Sequence, residues 1–334
     1  MKRWRKILLW GVGISILGSL SLSARQSAKD DGTECAGNVQ NDDNRFQHLF
    51  PPTIKTIAIV SPASPANTNE VDVGLRLLQK AGLRVKVMPH ARENENSGYT
   101  SIAADKRIAD LEQAWLDPEV DLILCTRGGV GSEQLPDKID WDKLRQRDMP
   151  LVGFSNITAL HCAMLARRAG HPYSGPSLTS LLGCDRESLA RFRTTLEGGK
   201  LAPVPLQVLR PGACSGVAIG GHLMLLSKVS PTPFRPDTAG KIVFIECPGQ
   251  TVAVMESKLR QLREDGWFTH CAGIVFGHFV SHNSPEELAV MLRNFTRTVK
   301  CPVFSGYPYG HRQTNYLIDL RRTVNIDNQG VITP

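Results

Sequence analysis

The stretch Asp121-Leu122-Ile123-Leu124-Cys125-Thr126-Arg127-Gly128-Gly129-Val130-Gly131 begins as an apolar run of strand length and breaks into glycine. An uninterrupted apolar strand marks a parallel sheet covered on both faces. Glycines at its C-terminal end let backbone N–H groups approach a ligand without interference from a Cβ. Further on, Val152-Gly153-Phe154-Ser155-Asn156-Ile157-Thr158 repeats the plan: a short buried strand ends, a helix follows, and Ser155 stands at the bend. A serine held there projects its hydroxyl beside the free N–H groups that open the helix, which is where a nucleophile belongs. Ser is equally a favoured helix N-cap, and Gly before it is ordinary turn chemistry, so the motif alone leaves both readings open.

Working outward, residues 54–60 form a β-rich run ending in Ser61-Pro62-Ala63-Ser64-Pro65. The spacing of Val71, Leu75 and Leu78 predicts a helix over 70–81, stopped by Gly82. A strand over 84–88 and a helix over 105–115, with Ile108 and Leu111 inward, complete a β-α-β-α-β alternation. Short connections and apolar strands in that order predict an α/β fold with a doubly wound, flavodoxin-like parallel sheet, whose sites lie at the strands' C-terminal ends. After Ser155, the stripe of Ile157, Leu160, Met164 and Leu165 reads as core. The pattern loosens from Gly175-Pro176, and the basic stretch 186–216 reads as a domain crossing. A smaller C-terminal α/β domain follows. It has Gly220-Gly221-His222 before a helix, an apolar strand over 241–246 ending on Glu246, a helix over 252–266, a strand over 273–276 and a helix opened by Ser284-Pro285-Glu286-Glu287. The organisation expected is therefore 51–185 for the first domain and 217–334 for the second, with the site in the cleft between them.

The first residues are different in kind. Lys2, Arg3, Arg5 and Lys6 precede an uncharged stretch over 7–24 with small residues at its end, the pattern of an export signal, or of a membrane anchor if left uncut. The chain is thus expected to be exported, periplasmic, or held at the inner membrane by residues 7–24. The polar segment 25–50 reads as a flexible spacer. Without the leader's basic residues the net charge of +7 falls to +3, which gives no case for a nucleic-acid partner. Eight cysteines are scattered with no close CxxC pair, so a zinc-site spacing is lacking, and export would permit disulfides whose pairing the sequence leaves open.

A serine hydroxyl is a poor nucleophile until an imidazole accepts its proton, and the imidazole works best when a carboxylate orients it. Of nine histidines, His48 lies in the spacer, His90, His171, His270 and His282 in polar or turn segments, and His161 on the core helix. His222 and His278 each follow a glycine. His311, in the loop Pro308-Tyr309-Gly310-His311, looks most like a positioned loop residue. Glu246 is the best acid, because a charge on an apolar strand is costly unless paired. Arg127 fits either a substrate carboxylate or a structural acid. No helix-opening Lys-Ser/Thr follows the glycines, as a P-loop would need.

In order, strand-Arg127-Gly128-Gly129-Val130-Gly131, Gly153-Phe154-Ser155-Asn156-Ile157-Thr158, Ser174-Gly175-Pro176, Gly220-Gly221-His222-Leu223, the strand carrying Glu246, and Tyr309-Gly310-His311 resemble the LD-carboxypeptidase family of serine peptidases. That family also includes the peptidases giving self-immunity to microcin C. The resemblance runs from about residue 54 to the C-terminus. It implies a metal-independent, cofactor-free Ser155–Glu246–His311 triad, an oxyanion hole from the N–H groups of Gly129 (or Gly128) and Asn156, and Arg127 and Gly128 at the substrate. It also implies a peptidoglycan-derived tetrapeptide substrate with D-alanine as product, and a homodimer. Four positions depart from the family pattern. Asn156 replaces a usual Asp, Cys247 replaces the Asp that usually follows the acid, Gln250 replaces a later Glu, and Val130 replaces an aromatic, which bears on substrate fit more than on the triad. The alternatives are an immunity-type peptidase cutting an aminoacyl-nucleotide amide and an exported muropeptide-binding protein without turnover. A conventional α/β-hydrolase has the same Ser, acid, His order, but its elbow needs glycine where Ile157 stands.

Overall fold

The β-α-β alternation read from the sequence forms the first of two sheets. A computed structural model describes residues 44–94 and 102–334, which belong to one compact unit. The leader over 1–24, most of the expected spacer and Cys35 lie outside the described residues.

The first sheet takes β1 (Thr56–Val60), β2 (Arg84–Val87), β3 (Leu122–Cys125), β4 (Pro150–Gly153) and β5 (His171–Ser174) in the order β2-β1-β3-β4-β5, all parallel. This is the flavodoxin-like order, with its switch point between β1 and β3. Helices α1 (Thr68–Lys80), α2 (Ala104–Leu116), α3 (Trp141–Leu144) and α4 (Thr158–Arg167) connect these strands. The Asn67 side chain caps α1 by accepting from the N–H groups of Asn69 and Glu70, and Val71, Leu75 and Leu78 are buried as the spacing predicts. Strand β5 was hidden in the sequence because His171-Pro172-Tyr173-Ser174 is neither apolar throughout nor alternating. It forms by completing the open edge beside β4.

Past β5 come α5 (Leu178–Leu181) and α6 (Arg186–Leu196), then β6 (Val204–Pro205), β7 (Gln207–Arg210) and β8 (Cys214–His222). The expected crossing over 186–216 is thus a capped helix followed by strands of the second sheet. Asp185 caps α6, and β7 pairs antiparallel with a later strand. The remaining elements are α7 (Leu223–Val229), β9 (Ile242–Gln250), α8 (Val252–Glu264), β10 (Gly273–Ser281), α9 (Pro285–Thr296), β11 (Val303–Ser305), β12 (Ile318–Asp319), β13 (Thr323–Ile326) and β14 (Val331–Thr333). The second sheet runs β6-β14-β13-β8-β9-β10-β11-β7, with β8 to β11 parallel. Ser284 and Glu287 form the predicted capping box of α9.

Three expectations need correction. Residues 44–50 are not spacer: Phe46, Leu49 and Phe50 are buried, and the Phe50 ring meets Phe192 edge-on at 5.5 Å. Their apolar side chains anchor the segment on the first sheet's core, outweighing the polar composition around them. The division at 186–216 is not linear either, since β12 returns to the first sheet and pairs antiparallel with β5. Finally, β9 does not end at Glu246 but continues to Gln250, so Glu246 sits within the strand, opposite His222 on β8.

Candidate active site

Ser155 is buried at 8% exposure, directly after β4, and its backbone lies at φ 60°. A non-glycine residue in this left-handed region is strained, by about 1–3 kcal/mol, and such strain persists only where the surroundings enforce it. Ser155 begins a short 3-10 turn, and no side-chain cap bond is made there. The N-cap reading therefore fails, because Ser155 is the first residue of the turn, with Phe154 at its cap position and Ile157 at the cap of α4.

The hydroxyl instead meets an imidazole from the second sheet. His311 Nε2 lies 3.0 Å from Ser155 Oγ, and His311 Nδ1 lies 2.9 Å from Glu246 Oε2. With Nδ1–H donating to the carboxylate, Nε2 is the acceptor for the serine proton. Glu246 is fully buried. Burial pushes its carboxyl up, but the imidazoles of His311, His222 and His278 outweigh this and hold it below its ordinary value. His222 packs edge-on to His311 with ring centroids 5.8 Å apart, and the Phe154 ring lies tilted against His311 at 4.8 Å. Burial brings His222 down to about 4 and also His278 to about 4, so both stay neutral at pH 7. His222 Nδ1 accepts from Met224 N–H at 3.2 Å, capping α7 and leaving its proton on Nε2.

The loop carrying His311 is held from both sheets. Tyr309 OH bonds Ser174 Oγ on β5 at 2.7 Å, while Tyr309 O accepts from His278 N–H at 2.8 Å on β10. Gly310 N–H donates to Asn315 Oδ1, Asn315 N–H donates to Ser188 Oγ at the start of α6, and Thr314 Oγ1 donates to Asp185. Gly310 takes φ 121°, and a Cβ there would come within 2.8 Å of Glu246 Oε2. Only glycine lets the backbone pass so close to the buried acid.

The glycine loop after β3 packs on the Ser155 bend. A Cβ at Gly128 would fall 2.7 Å from Ser155 Cβ and 3.2 Å from Asn156 N, and one at Gly129, whose φ is 105°, would collide with Ser64 Oγ. The peptide joining Gly128 to Gly129 therefore runs beside the Asn156 amide. Ser64 fastens the loop, donating N–H to Gly128 O and accepting from Val130 N–H. Arg127 is half-buried at the end of β3, and Val130, at 42% exposure, stands at the loop's tip.

Asn156 fixes loop and bend together. Its Oδ1 accepts from Ser132 N–H at 2.7 Å, its carbonyl accepts from Ser132 Oγ at 2.5 Å, and its Nδ2 donates to Glu133 Oε2 at 3.0 Å. Glu133 also accepts from Gly131 N–H and pairs through Oε1 with Lys228 of α7 at 2.7 Å. Burial raises Glu133, yet Lys228 and Asn156 overcome it and hold the carboxyl at about 2. Among the described residues no group of three or more His, Cys, Asp or Glu is placed to hold a metal ion.

Ser155, Glu246, His311, Gly128, Gly129 and Asn156 thus come together as the sequence reading requires. Phe154, Ser64, Ser132, Glu133 and Lys228 were missed. Ser64 lies in the Ser61–Pro65 turn that follows β1, and that place beyond a strand's C-terminal end was the one signal available. Glu133 and Lys228 have no sequence pattern, since they meet only when α7 packs beside the loop.

Residues 57–174 match the LD-carboxypeptidase N-terminal domain and residues 215–326 the LD-carboxypeptidase C-terminal domain. The chain belongs to the LD-carboxypeptidase family, and is an enzyme of the serine carboxypeptidase class. It is 31% identical to the "Probable murein peptide carboxypeptidase" of Bacillus subtilis over 268 residues, covering 77% of this chain and 83% of the relative. It is 28% identical to the murein tetrapeptide carboxypeptidase of Pseudomonas aeruginosa over 276 residues, covering 78% and 89%. The microcin C7 self-immunity protein, at 20% identity, shares the fold with a TM-score of 0.75 over 84% of this chain and 98% of that one.

Proposed function

We propose that this chain hydrolyses the L,D-peptide bond of murein tetrapeptides and releases the terminal D-alanine. The observation that carries the reading is the unbroken hydrogen-bond series Ser155–His311–Glu246 spanning two sheets, at 3.0 and 2.9 Å. His311 Nε2 takes the Ser155 proton as Oγ attacks the carbonyl before the terminal residue, while Glu246 stabilises the imidazolium that forms. The N–H groups of Gly129 and Asn156 receive the oxyanion, each contributing on the order of 2.7–4 kcal/mol. His311 then protonates the leaving D-amino acid, and water enters by the same route in reverse to free Ser155. Arg127 and Gly128 contact the substrate in this reading, with Val130 shaping the entrance where the family carries an aromatic.

The reading also has the chain exported by residues 1–24, cut or kept as an inner-membrane anchor, acting in the periplasm as a homodimer. The basic residues ahead of the uncharged stretch support export; the dimer rests on family resemblance.

The test is mass spectrometry of a defined tetrapeptide incubated with the protein. Ser155→Ala is expected to lower D-alanine release on the order of 10⁵-fold or more, and wild-type turnover in that variant would refute the assignment. An intact tetrapeptide alongside a cut aminoacyl-nucleotide amide would move the substrate to the immunity type. Tight tetrapeptide binding without turnover would identify a binding protein.

A further inference from the structure

Away from Ser155, three cysteines gather where strands of the second sheet begin. Cys214 opens β8, Cys271 lies two residues before β10, and Cys301 two residues before β11. Parallel pairing sets Ile274 of β10 opposite Val303 of β11, so the two cysteines preceding these strands are neighbours although 30 residues apart in the chain. The Cys271 thiol donates to Cys301 Sγ at 3.4 Å. Cys214 Sγ lies on the flank of this pair, 2.7 Å from where a Cβ on Gly273 would stand. Cys271 is buried, and Cys301 is half-buried and reachable.

We propose that Cys271 and Cys301 are a dithiol–disulfide pair, a modification site oxidised by exchange with an external disulfide. Bonding needs the sulfurs about 2.05 Å apart, so they must close by roughly 1.4 Å, within the reach of side-chain rotation. Cys301 is the attacking sulfur. The hydrogen bond from Cys271 holds its thiol below the ordinary value against the effect of burial, and Arg210, paired with Val303 across β7 and β11, adds to this. Cys271 is held high by the same bond and by burial.

The Cys301 thiolate attacks one sulfur of the external disulfide, forming a mixed disulfide and expelling a thiolate. Cys271 then loses its proton and attacks Cys301 Sγ, expelling the second thiolate. Two protons and two electrons leave the pair, and the external disulfide is reduced to two thiols. In an oxidising compartment the bond is the standing state, and in a reducing one it cycles. The link closes a loop holding β10 and α9 and staples the strand starts, at the end of the sheet opposite Glu246 and His311.

The full chain is incubated with oxidised glutathione, and intact mass and tryptic peptides are read. The expected product is lighter by two hydrogens, carries a Cys271–Cys301 cross-linked peptide, and reverts with dithiothreitol. Its thermal midpoint rises by roughly 5–10 °C, from the entropy of closing a loop of this length. Cys271→Ser and Cys301→Ser each lose the cross-link and the rise, Cys214→Ser keeps both, and D-alanine release is unchanged throughout. A cross-link through Cys214, a glutathione adduct at Cys301 that never resolves, or full retention of both thiols would overturn the proposal.

Discussion

Replacing Asn156 by the acid usual in its family should damage this protein, because of Glu133. Asn156 Nδ2 donates to Glu133 Oε2 at 3.0 Å, and Lys228 and Asn156 together hold that carboxyl ionised. In Asn156→Asp the donor becomes a second carboxylate at the same distance. With both ionised, the repulsion at 3.0 Å is about 5.5 kcal/mol for an effective dielectric near 20. Protonating the new carboxylate instead costs about 4 kcal/mol at pH 7, from its ordinary pKa of about 3.9. The cheaper route sets the loss, so the thermal midpoint should fall by roughly 6–10 °C at pH 7. The new carboxyl has a raised pKa in the folded state. The loss is therefore absent below about pH 4, about 1.5 kcal/mol at pH 5, and grows as pH rises until the folded-state pKa is passed. Because the same residue's N–H is the proposed oxyanion donor, kcat should fall by roughly one to two orders of magnitude with a smaller change in KM. Adding Glu133→Gln to the Asn156→Asp chain restores a donor to the introduced carboxylate while the amide oxygen still faces Lys228. The double variant should recover most of the midpoint and of kcat, short of the acceptor lost to Gly131 N–H. Differential scanning fluorimetry from pH 5 to pH 8 and D-alanine release at one fixed pH measure both. Wild-type midpoint and kcat in Asn156→Asp, or a double variant no better than the single one, would refute this account of the clamp.

Two further outcomes follow from the same geometry. Glu246→Gln keeps the shape of the site but loses the charge that fixes the His311 tautomer, and kcat should drop on the order of 10⁴-fold with the fold intact by circular dichroism; retention of more than about a tenth of the activity would contradict the assigned role. Gly310→Ala forces a Cβ to within 2.8 Å of Glu246 Oε2 at a left-handed backbone position, so kcat should collapse more than KM, and a crystal structure of the variant should show His311 displaced from Ser155.

Much of this architecture is legible in one dimension because its signals are local. The strand Leu122–Cys125 is apolar at every position, and α1 carries its buried residues at helical spacing, so both declare themselves before any folding is considered. Strand β5 and the return of β12 to its edge carry no such pattern, since two short strands of mixed polarity are defined only by the neighbour whose open hydrogen bonds they satisfy. Phe46, Leu49 and Phe50 were lost in polar surroundings because burial depends on what a side chain meets, not on the composition beside it.

By itself the sequence determined the doubly wound order, the residues able to act as nucleophile, acid and base, and the family to which their order belongs. Tertiary structure alone decided that Ser155 is strained and bonded to His311, that Glu246 lies within a strand rather than at its end, and that His222 and His278 share its field. It also decided that the glycine loop is clamped by Glu133 and Lys228. These are distances between residues far apart in the chain, and such distances exist only once both sheets have formed. Ser155 and His311 are 156 positions apart and bonded at 3.0 Å; the hydroxyl's chemistry depends on that separation in space, which no local pattern encodes.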